Sequence, residues 1–151
     1  MHNAAEALTF FVPGPAVGKQ RPRVTAHGTF TPTKTREYER RIGRFYAAKA
    51  TKRREDFTGP VDMSIVIGVP VPQYVSAKKR IAMLSGSIEP LNKPDIDNVA
   101  KSVLDALNGL AYADDKQVRE LRVQKRYADV PGVTVTLHWW LGGVSDERVS
   151  K

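Results

Sequence analysis

Residues 61–69 constrain the fold more than any other stretch. Val61, Met63, Ile65, Ile67 and Val69 alternate with Asp62, Ser64, Val66 and Gly68, and Pro70 and Pro72 close the run. A period of two puts the five apolar side chains on one face of a strand, so the chain must build a sheet and cover one side of it. A covering element is legible just before. From about Thr35 to Arg53, residues Tyr38, Ile42, Phe45 and Tyr46 recur at i, i+4, i+7 and i+8, the spacing of a helix with one apolar stripe. Its other faces carry Arg36, Arg40, Arg41, Arg44, Lys49, Lys52 and Arg53, and the aromatic stripe reads as core rather than as a platform for bases.

Punctuation places the rest. Residues 7–12 form a first strand ended by Pro13-Gly14-Pro15, and Val24 to Thr31 fold as a small hairpin around His27-Gly28. Gly59-Pro60 breaks the long helix; Ser76 caps a short one that runs to Leu84, with Gly86 just past its end. A third helix spans about Asp97 to Asn108 and stops at Gly109. Two strands, about 117–127 and 132–140, meet at a turn over Asp129-Val130-Pro131-Gly132. Strands and helices mix without strict β-α-β alternation, which predicts an α+β class: a single domain with one mixed β-sheet and helices mainly on one face. A length of 151 residues suits one core. The domain is expected over 1–141, with a polar, frayed tail over 142–151.

Composition narrows the function. No cysteine is present, which excludes disulfides and thiolate zinc sites, and the three histidines (His2, His27, His138) are too scattered for a histidine metal site or a triad. No apolar run approaches the roughly 18 residues that span a bilayer. MHNAAEALTFFVP has no basic n-region and carries Glu6, so it does not read as a signal peptide, and a soluble, cytoplasmic location is expected. The net charge of +8 is uneven: residues 1–58 hold twelve basic and five acidic residues, against twelve and eleven in 59–151. A basic half beside a balanced half suits a polyanion surface next to something that needs carboxylates, although charge alone equally serves solubility.

Those carboxylates lie in Asn92-Lys93-Pro94-Asp95-Ile96-Asp97-Asn98. In an extended stretch, two aspartates two residues apart point the same way, and the helix that starts there favours anions at its N-terminus. Either one alone is an ordinary N-cap. One cap does not account for two carboxylates, nor for Lys101 four residues after Asp97 on the same helix face. Asp105, four further on, is expected first to have a structural role, with positioning of Lys101 as a second reading. A second pair, Asp114-Asp115, precedes a returning strand that can bring it back beside the first, although alone it reads as a turn. Carboxylates without histidine or cysteine favour Mg²⁺, with Mn²⁺ able to substitute. A carboxylate cluster, one lysine and a basic remainder together suit phosphodiester hydrolysis, in which a divalent cation activates water and lysine stabilises developing charge.

KPDIDNVAKSVLDALNGLAYADDKQVREL, from Lys93 to Leu121, resembles the signature of the RusA family of Holliday junction resolvases. GKQRPRVTAHGTFTPTKTREYE, from Gly18 to Glu39, resembles the N-terminal part of its longer, often phage-borne members. With the strand at 61–69, the resemblance covers most of residues 8–140. It implies a homodimer that binds four-way DNA junctions and nicks two strands symmetrically. It also implies metal-binding carboxylates at Asp95, Asp97 and Asp115, with Asp114 adjacent, and an essential lysine at Lys101. Some shorter members carry an arginine run before the D-x-D, where this chain has Leu91-Asn92-Lys93-Pro94. The DNA-binding set expected here is therefore Arg21, Arg23, Lys34, Arg36 and Arg40, with Lys93; contacts of this kind hold phosphates without reading sequence. Tyr74 and Tyr112 are the aromatic candidates for opening a junction centre.

Two other readings share parts of the pattern. A non-catalytic protein that binds branched or single-stranded DNA needs the basic half but not the carboxylates. A nuclease for flaps, forks or RNA would use the same metal chemistry on another substrate.

Overall fold

The computed structural model describes residues 5–30 and 32–142. Four strands form the main sheet: β1 (Ala5–Pro13), β4 (Val61–Pro70), β5 (Val118–Ala128) and β6 (Gly132–Trp140), in the order β1-β6-β4-β5. β6 is antiparallel to both neighbours, whereas β4 and β5 run parallel, so the sheet is mixed. β2 (Arg23–Thr25) and β3 (Gly28–Phe30) make the expected hairpin as a separate two-stranded sheet. The helices are α1 (Thr33–Lys49), α2 (Ala77–Leu84) and α3 (Ile96–Leu107). The architecture is the α+β domain expected. Of the polar tail, all but Gly142 lies outside the described residues, as does Thr31 of the hairpin.

The alternation at 61–69 does the work assigned to it. Phe10, Val135, Ile65 and Val123 face one another across all four strands. On this face Val61 to Val69 and Val133 to Trp139 pack in one core with Tyr38, Ile42 and Tyr46 of α1 and Val99, Val103 and Leu107 of α3. Tyr46 meets Phe10 edge-on at 5.7 Å, a favourable aromatic geometry. Among the described residues no helix is long and apolar enough to cross a membrane.

One boundary differs clearly from expectation. α1 ends at Lys49, and Ala50 is already extended, whereas the sequence pattern carries the helix to Arg53. The last stripe residue is Tyr46, and beyond it Ala50 packs against the core from extended backbone rather than from a further helical turn. The chain turns back instead, where Arg54 bonds Glu6 at 3.0 Å and stacks its guanidinium over Trp139 at 4.6 Å. α3 starts one residue earlier than expected, at Ile96, with Asp95 as N-cap. Ser76 caps α2 through Lys79 N at 3.1 Å, as expected.

The opposite face of the sheet is open to solvent and carries polar contacts. Asp62 accepts from Arg119 Nε and Nη2 (3.1 and 2.9 Å) and from Trp140 Nε1 (2.8 Å). The Arg119 bonds hold the Asp62 carboxyl below its usual range, against the opposing effect of burial. A lowered folded-state value stabilises the fold above the ordinary carboxylate pKa and is lost as pH falls through the lowered one. Asp62→Asn is therefore expected to cost about 1 kcal/mol at pH 7, since Arg119 is largely exposed. Urea titrations should show the gap to wild type closing only below about pH 4; a gap that is constant with pH would mean that the ion pair contributes nothing.

Candidate active site

The loop before α3 sets the site. Asp95 takes the N-cap position with extended backbone (φ −73°, ψ 132°), and its carbonyl accepts the first helical bond from Val99 N. Its carboxylate caps no backbone N–H; the one polar contact it makes is a long 3.5 Å approach from Asn98 Nδ2. Asp97 stands in the first turn, accepting from Asn98 N at 2.9 Å. Both carboxylates are exposed, and neither forms an ion pair among the described residues. Lys101 is exposed one turn on and likewise makes no ion pair among them.

Lys125 holds this loop from beneath. It stands on β5 opposite Ile67, on the core-facing row, and its Nζ donates to the carbonyls of Asn92 (2.5 Å) and Pro94 (3.0 Å). A half-buried ammonium needs such acceptors, and these two bracket the Lys93–Pro94 bond just before Asp95. The sequence reading misses Lys125. The signal available was its place in the alternation Leu121, Val123, Lys125, Tyr127, where an apolar residue would be expected.

A second segment, 14–20, crosses the start of α3. Lys19 N donates to Asn98 O (2.9 Å), and Ser102 Oγ donates to Val17 O (3.0 Å). Gly18 permits the approach, since a Cβ there would lie 3.0 Å from Asn98 Cβ. Lys19 Nζ then bridges Glu39 of α1 (2.6 Å) and Asp105 of α3 (3.0 Å). Burial pulls its pKa down, but the bonds to Glu39 and Asp105 outweigh that and leave it raised. The ion pair gives Asp105 the structural role expected first, but its partner is Lys19 rather than Lys101, because α3 turns it toward the segment arriving from β1.

Between this segment, residues 67–70 of β4 and the loop 93–98 lies a cleft of about 540 Å³. Asp95 and Asn98 line it together with three lysines, Lys19, Lys34 and Lys93. Of the other basic residues expected to meet DNA, Arg36 and Arg40 are exposed on α1, while Arg21 and Arg23 are exposed on the approach to the hairpin and in it. Tyr74 is exposed, but Tyr112 is fully buried and donates to Leu104 O at 3.0 Å, so it is a core residue.

The second acidic pair divides. Asp114 closes a capping box on the 3₁₀ turn Asp115–Gln117: its carboxylate accepts from Lys116 N (3.0 Å), and its own N–H donates to Gln117 Oε1 (2.7 Å). The bond from Lys116 N lowers its pKa. Asp115 is half-buried, and its carboxyl is raised by burial, then by Asp114 and Asp105, with Lys101 acting in opposition. The returning chain thus brings Asp115 into the field of the exposed α3 stripe. It does not gather the acids into one cage: among the described residues no three acidic or histidine side chains group closely enough to hold a metal ion.

A family model for endodeoxyribonuclease RusA matches residues 13–138. The chain belongs to the RusA endodeoxyribonuclease family. That match spans the cleft segment, α1, β4, the Asp95–Asp97 loop and Asp115, and the family's activity is endonucleolytic cleavage of DNA. The chain is also 35% identical over 136 residues to the uncharacterized protein YqaN of Bacillus subtilis (strain 168), covering 87% of this chain and 96% of that protein. For this RusA-family chain, Lys125→Met should destabilise by about 1–3 kcal/mol, the range for losing hydrogen bonds to a charged group. Amide exchange over 95–98 should quicken alongside. An unchanged urea midpoint with unchanged exchange would show that the loop stands without Lys125.

Proposed function

We propose that the protein is a metal-dependent Holliday junction resolvase that makes paired, symmetric nicks as a homodimer, acting in the cytoplasm. The observation that carries the catalytic reading is the free carboxylate of Asp95. Two aspartates hold N-cap positions among the described residues; Asp114 uses its carboxylate as a cap, and Asp95 leaves its own open beside Asp97 at the edge of a lysine-lined cleft. A cap is worth about 0.5–2 kcal/mol, so leaving it unused points to another role for the group.

The donor chemistry suits Mg²⁺, with Mn²⁺ in its place. Both take oxygen ligands, and Mg²⁺ is typically held by one or two carboxylates together with water and substrate phosphate rather than by a complete protein cage. Asp95 and Asp97 would hold it, with Asp115 the third carboxylate and Asp114 beside it. When bound, the ion supplies Lewis-acid polarisation of the phosphate and a lowered pKa for water. Lys34 and Lys93, which line the cleft, would draw the scissile phosphate to its edge beside Asp95, whereas Lys19 is held by Glu39 and Asp105. Lys101, unpaired on the Asp97 face, offers an ammonium to the charge that develops on the phosphate oxygens. Arg21, Arg23, Lys34, Arg36, Arg40 and Lys93 hold backbone phosphates and orient the DNA without reading bases. A junction has two equivalent scissile strands, which a two-fold dimer matches with two equivalent sites.

The scattered acids favour one rival, a non-catalytic binder of branched DNA. A labelled synthetic four-way junction, incubated with Mg²⁺ or Mn²⁺, separates the two. Wild type is expected to give paired symmetric nicks in the junction and none in linear duplex or a flap. Asp95→Asn and Asp97→Asn should each cut at least ~100-fold more slowly while binding as tightly as wild type or more tightly. Tight binding by wild type without cutting in either metal would make the non-catalytic binder the better account.

A further inference from the structure

A second hollow of about 590 Å³ lies beside the cleft, across the Pro13–Val17 segment. One strip of α1 lines it with Lys34, Glu37, Tyr38, Arg40, Arg41 and Arg44, so four cations face one carboxylate. None of the four forms an ion pair among the described residues. Acidic partners were within reach of the helix: Glu39, on the same helix, is taken by Lys19. Arg41 is fixed in place by donating Nε and Nη2 to Pro13 O (3.2 and 2.8 Å) and by packing over the Phe45 ring at 5.1 Å. A neutral carbonyl leaves its charge uncompensated. Gathering like charges in a concave site is unfavourable until an anion enters, and low-dielectric walls strengthen the field there. Lys34 lines both the hollow and the cleft, so the two are joined at that residue.

We infer that this hollow seats a DNA backbone phosphate of the strand that enters the cleft, to one side of the phosphate at Asp95. Arg40 and Arg44 supply the charge, Lys34 links the two phosphate positions, and Arg41 forms the fixed wall. The inference rests on the nuclease reading for the meaning of the cleft, but its ligand is recognised by charge and shape alone. Several oxygens on one anion suit guanidinium donors better than a single carboxylate does. A strand held this way has its direction set before it reaches Asp95. Arg44 and Arg41 thereby join the DNA-contacting set, although their place in the sequence gave no reason to prefer them to Lys49 or Arg53.

The test measures binding, not cutting. Affinity for a labelled four-way junction and a labelled duplex is followed against KCl concentration in EDTA, for wild type, Arg40→Gln/Arg44→Gln and Lys78→Gln/Lys79→Gln. The last pair removes the same charge from α2, outside both hollows. The α1 double variant is expected to bind roughly tenfold or more weakly at ~0.1 M salt, with a log–log slope shallower by about 0.9, the value for one lost phosphate contact. The α2 variant should hold close to the wild-type slope, and circular dichroism should show all three equally folded. An unchanged slope in the α1 variant overturns the inference, and so does an equal loss in both variants, which would make net charge the cause. If the α1 slope falls as expected while wild type never cuts DNA, the hollow stands and the catalytic reading falls.

Discussion

The site depends on Lys19. One half-buried ammonium lies between Glu39 of α1 and Asp105 of α3 while its own main-chain N–H bonds Asn98 O. These contacts join two helices and lay the 14–20 segment across the start of α3, which forms one wall of the cleft. The charges explain why the arrangement holds. Each carboxylate would be poorly solvated without a partner, and Asp105 already contributes to raising Asp115. With Lys19 in place, Asp105 is paired, and Lys101 forms no ion pair among the described residues.

Topology puts the cleft where it is. β1, β4 and β5 all point the same way, since β6 is antiparallel to β1 and β4 while β4 and β5 are parallel. Their carboxyl ends, Pro13, Pro70 and Ala128, therefore lie at one edge, and only β6 starts there. Chain leaving several strands at one edge must diverge, and the gap between the exits is a natural ligand crevice, as at the carboxyl ends of open α/β sheets. Here the 14–20 segment leaves β1, residues 67–70 finish β4, and Lys125, near the end of β5, grips the Asp95 loop. The cleft is thus a consequence of strand direction, and the basic residues of α1 flank it because α1 packs on β1.

What was legible in the sequence follows from range. Periodicity is local, so β4, β6, the stripe of α1 and the spacing of Asp95, Asp97 and Lys101 could be read directly. The overrun of α1 to Arg53 arose because a run of good helix formers carries no mark where its tertiary contact ends; Arg54 stacking on Trp139 is a contact over 85 residues. Lys125 and the pairing of Asp105 with Lys19 are of the same kind, polar contacts fixed only when distant segments meet. Tyr112 was misjudged for a related reason: an aromatic residue in a loop looks exposed until the carbonyl of Leu104 is found to receive its hydroxyl.

The contrast between Asp95 and Asp114 bears on why the open acids persist. Both precede a helical turn with extended backbone, and both could satisfy a free N–H group there. Asp114 does so within a box completed by Gln117, which in turn donates to Phe57 O and Gly59 O, and that turn is rigid and closed. At Asp95 the backbone is held by Lys125 rather than by its own side chain, so loop rigidity no longer requires the carboxylate. Moving the structural task to a lysine on the neighbouring strand leaves the acid oriented but uncommitted. The helix N-terminus, where a negative charge is favoured, and the exposed lysines Lys34 and Lys93 of the cleft then face a carboxylate that forms no ion pair among the described residues.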